Sequence, residues 1–192
     1  INRLLSLSLE NVSLEDMLER AIDDITSIPW LSLESRGAIF LVEDDIEVLV
    51  MKAQRRLSMS LQTMCSSVPF GRCMCGRAAL SGQTQFADHI DERHEHRYEG
   101  ISAHGHYCVP IVSAGKVLGV INTYVKEGHT YNKKEEDFLR AVSAVLAGII
   151  ERKRGEQKQA ELLKQLESAN KELNDFAHIV SHDLKAPLRG IK

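Results

Sequence analysis

All four cysteines, Cys65, Cys73, Cys75 and Cys108, and six of the eight histidines, His89, His94, His96, His104, His106 and His129, fall in one stretch of the chain. Thiolate and imidazole together suit zinc, iron and copper. The densest pieces are Cys73-Met74-Cys75 and His104-Gly105-His106-Tyr107-Cys108. In a strand, His104, His106 and Cys108 point to one face. Cys73 and Cys75 stand beside a predicted helix start, where amide donors and the helix dipole lower a thiol pKa. The metal set this implies is Cys73, Cys75, His106 and Cys108, with His104 as substitute, holding iron or zinc ahead of copper. Cys-x-Cys lacks the two-residue spacer of a zinc knuckle, so redox chemistry of the thiols, an organic ligand or a purely structural role stay open beside it. His94 and His96 belong to Asp91-Glu92-Arg93-His94-Glu95-His96-Arg97, which reads as solvated surface. No Cys-x-x-Cys-His haem attachment is present, and no carboxylate is placed as a general base, so an enzyme acting in the cluster has little support.

A second reactive stretch is Phe176-Ala177-His178-Ile179-Val180-Ser181-His182-Asp183-Leu184-Lys185-Ala186-Pro187-Leu188-Arg189. His182 lies off the apolar seams of its helical pattern, with Asp183 next to it. A carboxylate neighbour can hold an imidazole in one tautomer and leave its other nitrogen free to attack. Pro187 then breaks or kinks the helix by removing an amide donor and crowding the preceding turn.

The elements that must position these groups follow from periodicity. Ser13-Leu14-Glu15-Asp16 resembles a capping box, and Leu14, Met17, Leu18, Ala21, Ile22 and Ile25 recur at helical spacing, ending before Pro29. Residues 37–54 read as a hairpin turning at Glu43-Asp44-Asp45, and residues 107–126 as a second turning at Ala114-Gly115. Pro110 places its strand at an edge or a bulge. A short helix surrounds Arg77–Leu80, residues 88–100 form a loop or surface helix, and Asn132-Lys133-Lys134-Glu135 opens a helix that lasts to Pro187. This order predicts an α+β fold, an antiparallel sheet with helices on one face.

That last helix would span about 80 Å at about 1.5 Å per residue. One seam starts at Phe138 and passes through Val142, Val145 and Ile149; a second runs through Leu162, Leu166, Ala169, Leu173, Phe176 and Val180. Both resemble a coiled coil, with a polar interval at 152–159. A stripe that long needs a partner helix, and a parallel homodimer is the economical source.

Bulk properties exclude several classes. The 192 residues carry a formal charge of −3, with 43% hydrophobic and 27% charged residues, so no basic field argues for nucleic acid. No apolar run approaches the roughly 18 residues of a membrane helix, and membrane contact of these residues is not expected. Reduced thiols suit a cytoplasmic setting. The chain opens at Ile1, and a fragment of a longer protein, anchored upstream or not, is expected.

The stretch 176–189 resembles the H-box of sensor histidine kinases, with its Ser-His-Asp-Leu-x-x-Pro-Leu core complete. The resemblance implies His182 as phosphoacceptor, Asp183 as the acidic neighbour that assists transfer, and a response-regulator receiver domain as partner. ATP would bind a catalytic domain outside these residues, since no asparagine box, glycine box or Gly-rich phosphate loop occurs here. Residues 11–150 resemble a GAF domain, through Val68-Pro69-Phe70-Gly71, Gly76-Arg77-Ala78-Ala79-Leu80-Ser81-Gly82, Val109-Pro110-Ile111 and Gly119-Val120-Ile121; a PAS domain is the near competitor. Such domains hold cyclic nucleotides, bilins, haem, metals or nothing. The resulting organisation is an upstream linker or helix tail at 1–10, a GAF-like sensor at 11–150, a signalling coiled coil at 151–175 and the start of a dimerisation and phosphoacceptor domain at 176–192. The rival reading is a non-catalytic GAF module that only dimerises.

Overall fold

The computed structural model describes residues 12–43 and 47–188, with side chains through Ala177. Residues 1–10, the turn residues Asp44 and Asp45, and the side chains of His182 and Asp183 lie outside what is described. The chain falls into two units, 1–150 and 151–192.

Helix α1 (Leu14–Thr26) begins where the sequence places it. The Ser13 hydroxyl accepts from the Asp16 amide at 3.0 Å and satisfies one of the donors that the first helical turn leaves free. Leu14, Met17, Leu18, Ala21, Ile22 and Ile25 are buried on one stripe. The remaining elements are β1 (Leu33–Val42), β2 (Val48–Arg55), α2 (Met59–Met64), β3 (Ser67–Pro69), α3 (Cys73–Ser81), β4 (Gln85–Ala87), β5 (Gly105–Ser113), β6 (Lys116–Val125) and α4 (Lys133–Leu188). Six strands form an antiparallel sheet in the order β3-β2-β1-β6-β5-β4.

Helices cover both faces of this sheet, not one. On one side α1 and residues 133–150 of α4 pack on Ile39, Leu41, Tyr107, Val109, Ile111 and Ile121. On the other, α2 and α3 pack on Ala38, Phe40, Val42, Cys108, Val120 and Tyr124. The physical reason is visible in β1, β5 and β6, whose runs are apolar on successive residues; a strand exposed on one face would alternate. Two hydrophobic faces need two covers.

Pro110 sits opposite Val120 of β6, beyond the point where β4 stops pairing at Cys108. Its other side is therefore an open edge, where a missing amide costs no ladder bond. Its carbonyl accepts there from the Ser143 hydroxyl of α4 at 2.5 Å. The capping box expected at Asn132 forms by half. Asn132 Oδ1 accepts from the Lys134 amide at 3.0 Å, but Glu135 does not reach back. It accepts instead from the Ser32 amide at 3.1 Å and sits 2.8 Å from His129 Nε2. Helix α4 is present over the expected range; a coiled coil takes two chains. Among the described residues no helix is long and apolar enough to cross a membrane.

The β5–β6 turn holds Ala114 at φ 46° and Gly115 at φ 80°, the pair of positive angles that a two-residue hairpin twisting with its strands demands. Glycine adopts this freely, whereas alanine's Cβ crowds the neighbouring carbonyl. Ala114→Asn should therefore stabilise the domain by about 0.5–1 kcal/mol, raising Tm by about 1–4 °C in a thermal melt. An unchanged or lower Tm would contradict the turn assignment.

Candidate functional site

The site is built on β5, where successive side chains point to opposite faces. Tyr107, Val109 and Ile111 enter the α1/α4 core, and Cys108 enters the other. His106 accompanies Cys108, and His104 stands one step before the strand; both are fully buried, at 2% and 0% exposure. The expectation that these three share a face is met. Tyr124 of β6 lies opposite His106, with ring centroids 4.5 Å apart, and 4.9 Å from His104. The Arg36 guanidinium covers the Tyr124 ring at 4.9 Å.

His94 joins them, against expectation. The loop around it is as polar as the sequence suggests, but its charges are spent on fastening the loop. Glu95 binds Arg72 at 2.7 Å and Arg77 at 3.4 Å, both on the α3 side. Arg93 reaches the Phe86 carbonyl at 3.0 Å, and Arg97 reaches the His94 carbonyl at 2.8 Å. Between these anchors His94 turns inward and is 5% exposed. Its ring stacks on His106 at 5.0 Å and meets His104 edge-on at 5.3 Å; His104 and His106 are 4.7 Å apart. One ring nitrogen from each of the three lies within 4.8 Å of those of the others.

Hydrogen bonds fix two of the tautomers. His104 Nδ1 lies 2.5 Å from the Ser102 carbonyl, which can only accept, so Nδ1 carries the proton. His106 Nδ1 lies 3.0 Å from Asn122 Oδ1 and donates to it in the same way. The Nε2 lone pairs of both rings are then left over. His104 Nε2, His106 Nε2 and His94 Nδ1 are all buried without a hydrogen-bond partner, an arrangement that costs on the order of 1–3 kcal/mol for each such group. Burial, followed by the neighbouring histidines, holds His94 down at about 4 and His106 well below the ordinary range; burial lowers His104 as well. Three neutral imidazoles converge, each with a ring nitrogen that has nothing to bind in the protein.

The thiols are arranged differently. Cys75 and Cys108 bring their sulfurs to 3.7 Å, and Cys108 also donates to Asn122 Oδ1 at 3.6 Å. Cys65 lies 3.2 Å from His96 Nδ1. Cys73 and Cys75, both at the start of α3, line a cavity of about 20 Å³ together with Cys65, His94, His96, His106, Asn122 and Tyr124. The expectation of low thiol pKa values there is corrected. Burial raises Cys65 to about 12 and also raises Cys73. The contact with Cys108 and then burial raise Cys75. Desolvation outweighs the dipole of a helix this short. Of the expected metal set, His104 and His106 come together with His94, while Cys73, Cys75 and Cys108 form an adjoining thiol group. An open cleft of about 280 Å³ beside Pro110, Arg140 and Ser143 gathers no comparable set of groups.

Sequence reasoning missed His94, Asn122 and Tyr124. Asn122 had a signal: it is a polar residue amid Leu118-Gly119-Val120-Ile121, at the inward position of a buried strand. His94 had none.

The fold and the sequence agree on relatives. A family model described as GAF domain matches residues 11–151. The GAF domain of a phosphoenolpyruvate-protein phosphotransferase from Coxiella burnetii superposes with TM-score 0.69 at 20% identity, covering 82% of this chain and 94% of that one. The corresponding Acinetobacter domain gives TM-score 0.66 at 18% identity, covering 80% and 92%. A free methionine-R-sulfoxide reductase from Neisseria meningitidis, in complex with its substrate, gives 0.64 at 18%, covering 80% and 87%. At these identities the likeness is one of fold. No curated protein matches the sequence.

Buried, protonated thiols react slowly because the thiolate is the nucleophile. Iodoacetamide at pH 8 should label Cys73 and Cys75 of the folded chain at least about 100-fold more slowly than in urea. Native labelling at the denatured rate would remove the buried-thiol description.

Proposed function

This chain belongs to the GAF domain family, and we propose that it is a non-catalytic regulatory module that pairs with a second copy of itself through the helix beyond residue 150. One observation carries this reading. Leu162, Leu163, Leu166, Leu173 and Phe176 are each more than half exposed, on the helical unit 151–192. Leu162, Leu166, Ala169, Leu173 and Phe176 recur at steps of four and three, the repeat of a coiled-coil seam. A second copy offers the same repeat in register, which makes the homodimer self-complementary. In sedimentation velocity the chain should run as a dimer at micromolar concentration. Leu166→Glu with Leu173→Glu should yield monomers with an unchanged thermal transition for the 1–150 unit. A monomeric parent chain would sink the proposal.

The cavity between the sheet and α2/α3 admits no organic ligand as folded. It measures about 20 Å³, against roughly 300 Å³ or more for a small-molecule pocket. Cyclic nucleotides, bilins and haem are too large for it. A single iron or zinc ion is not, and that is the cofactor this head could carry.

A second reading is favoured by the motif at 176–189. In it the paired helices continue into the phosphoacceptor helix of a sensor histidine kinase, located in the cytoplasm. His182 takes phosphate from ATP bound by a separate catalytic domain, Asp183 assists, and a response-regulator aspartate receives the phosphate. The dimer is common to both readings. An acid-labile phosphate on His182 in the parent protein, lost in His182→Gln with the dimer intact, is expected; phosphate retained in that variant would dismiss the role.

A further inference from the structure

We propose that His94, His104 and His106 form a three-imidazole site for one divalent first-row transition ion, zinc or iron(II). This assignment does not rest on the homodimer proposed above. It corrects the ligand set that spacing suggested, because the thiols are left out of the first coordination sphere.

The case begins with what the three rings lack. Each is buried, and each has a ring nitrogen with no partner in the protein. Aromatic packing alone would have been served equally well by phenyl rings, without stranding three ring nitrogens. What the rings possess is equally specific. His104 and His106 hand their Nδ1 protons to the Ser102 carbonyl and to Asn122 Oδ1, which is the outer-shell pattern that orients a ligating imidazole and raises its basicity. Both are thereby locked in the tautomer that presents Nε2.

The thiols compete poorly. Cys108 already shares its hydrogen with Asn122 and lies against Cys75, and Cys65 is engaged by His96. Among the described residues, the histidine trio is the one group of three or more potential ligands close enough to hold an ion together.

Geometry sets the adjustment required. Zinc bound at about 2.0–2.1 Å keeps tetrahedral ligands roughly 3.3–3.4 Å apart, while the nitrogens here lie within 4.8 Å. Closing that gap asks for about 1.5 Å at most, and His94 is the ligand free to supply it, since it stands on a loop and the others on or beside β5. His94 and His106 also line the 20 Å³ cavity, which has room for one water. Three imidazoles and an exchangeable fourth position make an open site, the arrangement that lets an ion take up a small ligand. Imidazole suits zinc and iron alike.

The test uses the full, tag-free chain, stripped with chelator and kept reduced and oxygen-free, with zinc, iron(II) and cobalt(II) as probes. One equivalent should survive gel filtration, and saturating zinc should raise Tm by about 5–10 °C at 100 times Kd. Cobalt should give tetrahedral visible bands without thiolate charge transfer. His94→Ala, on a loop and therefore tolerable to the fold, should weaken binding at least about 100-fold, with His104→Ala and His106→Ala doing the same where circular dichroism shows them folded. Cys75→Ala and Cys108→Ala should change affinity less than about threefold. No retained metal, a thiolate charge-transfer band, or stoichiometric binding that survives His94→Ala would each overturn the proposal.

Discussion

The structure depends on one strand buried on both faces. β5 carries His106 and Cys108 into one core, and between and beyond them Tyr107, Val109 and Ile111 into the other. A one-residue slip would exchange the two sets and bury imidazole and thiol among the leucines of α1 and α4. Register is therefore fixed from both sides at once. It is fixed again at the edge, where Pro110 can stand only because β4 has already ended.

The same strand brings the site next to the helix. Tyr107 lies between His106 and Cys108 in sequence, and its hydroxyl accepts from the Asn132 amide at 2.9 Å, immediately before α4 starts. Three residues further on, the Pro110 carbonyl takes the Ser143 hydroxyl. Glu135, in the first turn of α4, ties to Ser32 and His129. The start of the helix is thus bonded to β5, to the entry of β1 and to the loop after β6. A shift of β5 strains these bonds, because close-packed cores respond by changing arrangement and do not deform freely.

Much of the scaffold was legible because local rules and tertiary packing agree there. Ser13 caps α1, the two hairpins form where β-rich runs flank turn residues, and α4 follows its periodicity. What the sequence obscured was how many faces the sheet buries. The expectation of helices on one side did not weigh the unbroken apolar runs of β1 and β6, which need a cover on each face. The candidate site was half legible. His104 and His106 follow from strand alternation, but His94 sits in a run of charges that resembles solvated surface. Those charges do face outward, and the ion pairs of Glu95 with Arg72 and Arg77 are what turn the histidine between them inward. No one-dimensional pattern encodes that, since the partners lie on α3, some 20 residues away. The thiol pKa expectation failed for a related reason: proximity to a helix start is visible in sequence, while complete burial is a property of the assembled core.

Coupling between the head and α4 has an energetic condition. An ion or small ligand at the histidines can bias the helix only by binding one arrangement of β5 more tightly than another. The unpartnered nitrogens supply such a difference in principle. Without an ion, three buried ring nitrogens go unsatisfied, and the loop holding His94 meets β5 only through ring packing on His106 and His104. With one, the loop is fastened to the strand whose next residue anchors the first turn of the helix. The direction of the bias is set by whether the closed geometry relaxes or strains the Tyr107–Asn132 bond, because that contact is shared by both ends. By linkage, any condition that shifts the helix must then alter metal affinity by the same factor.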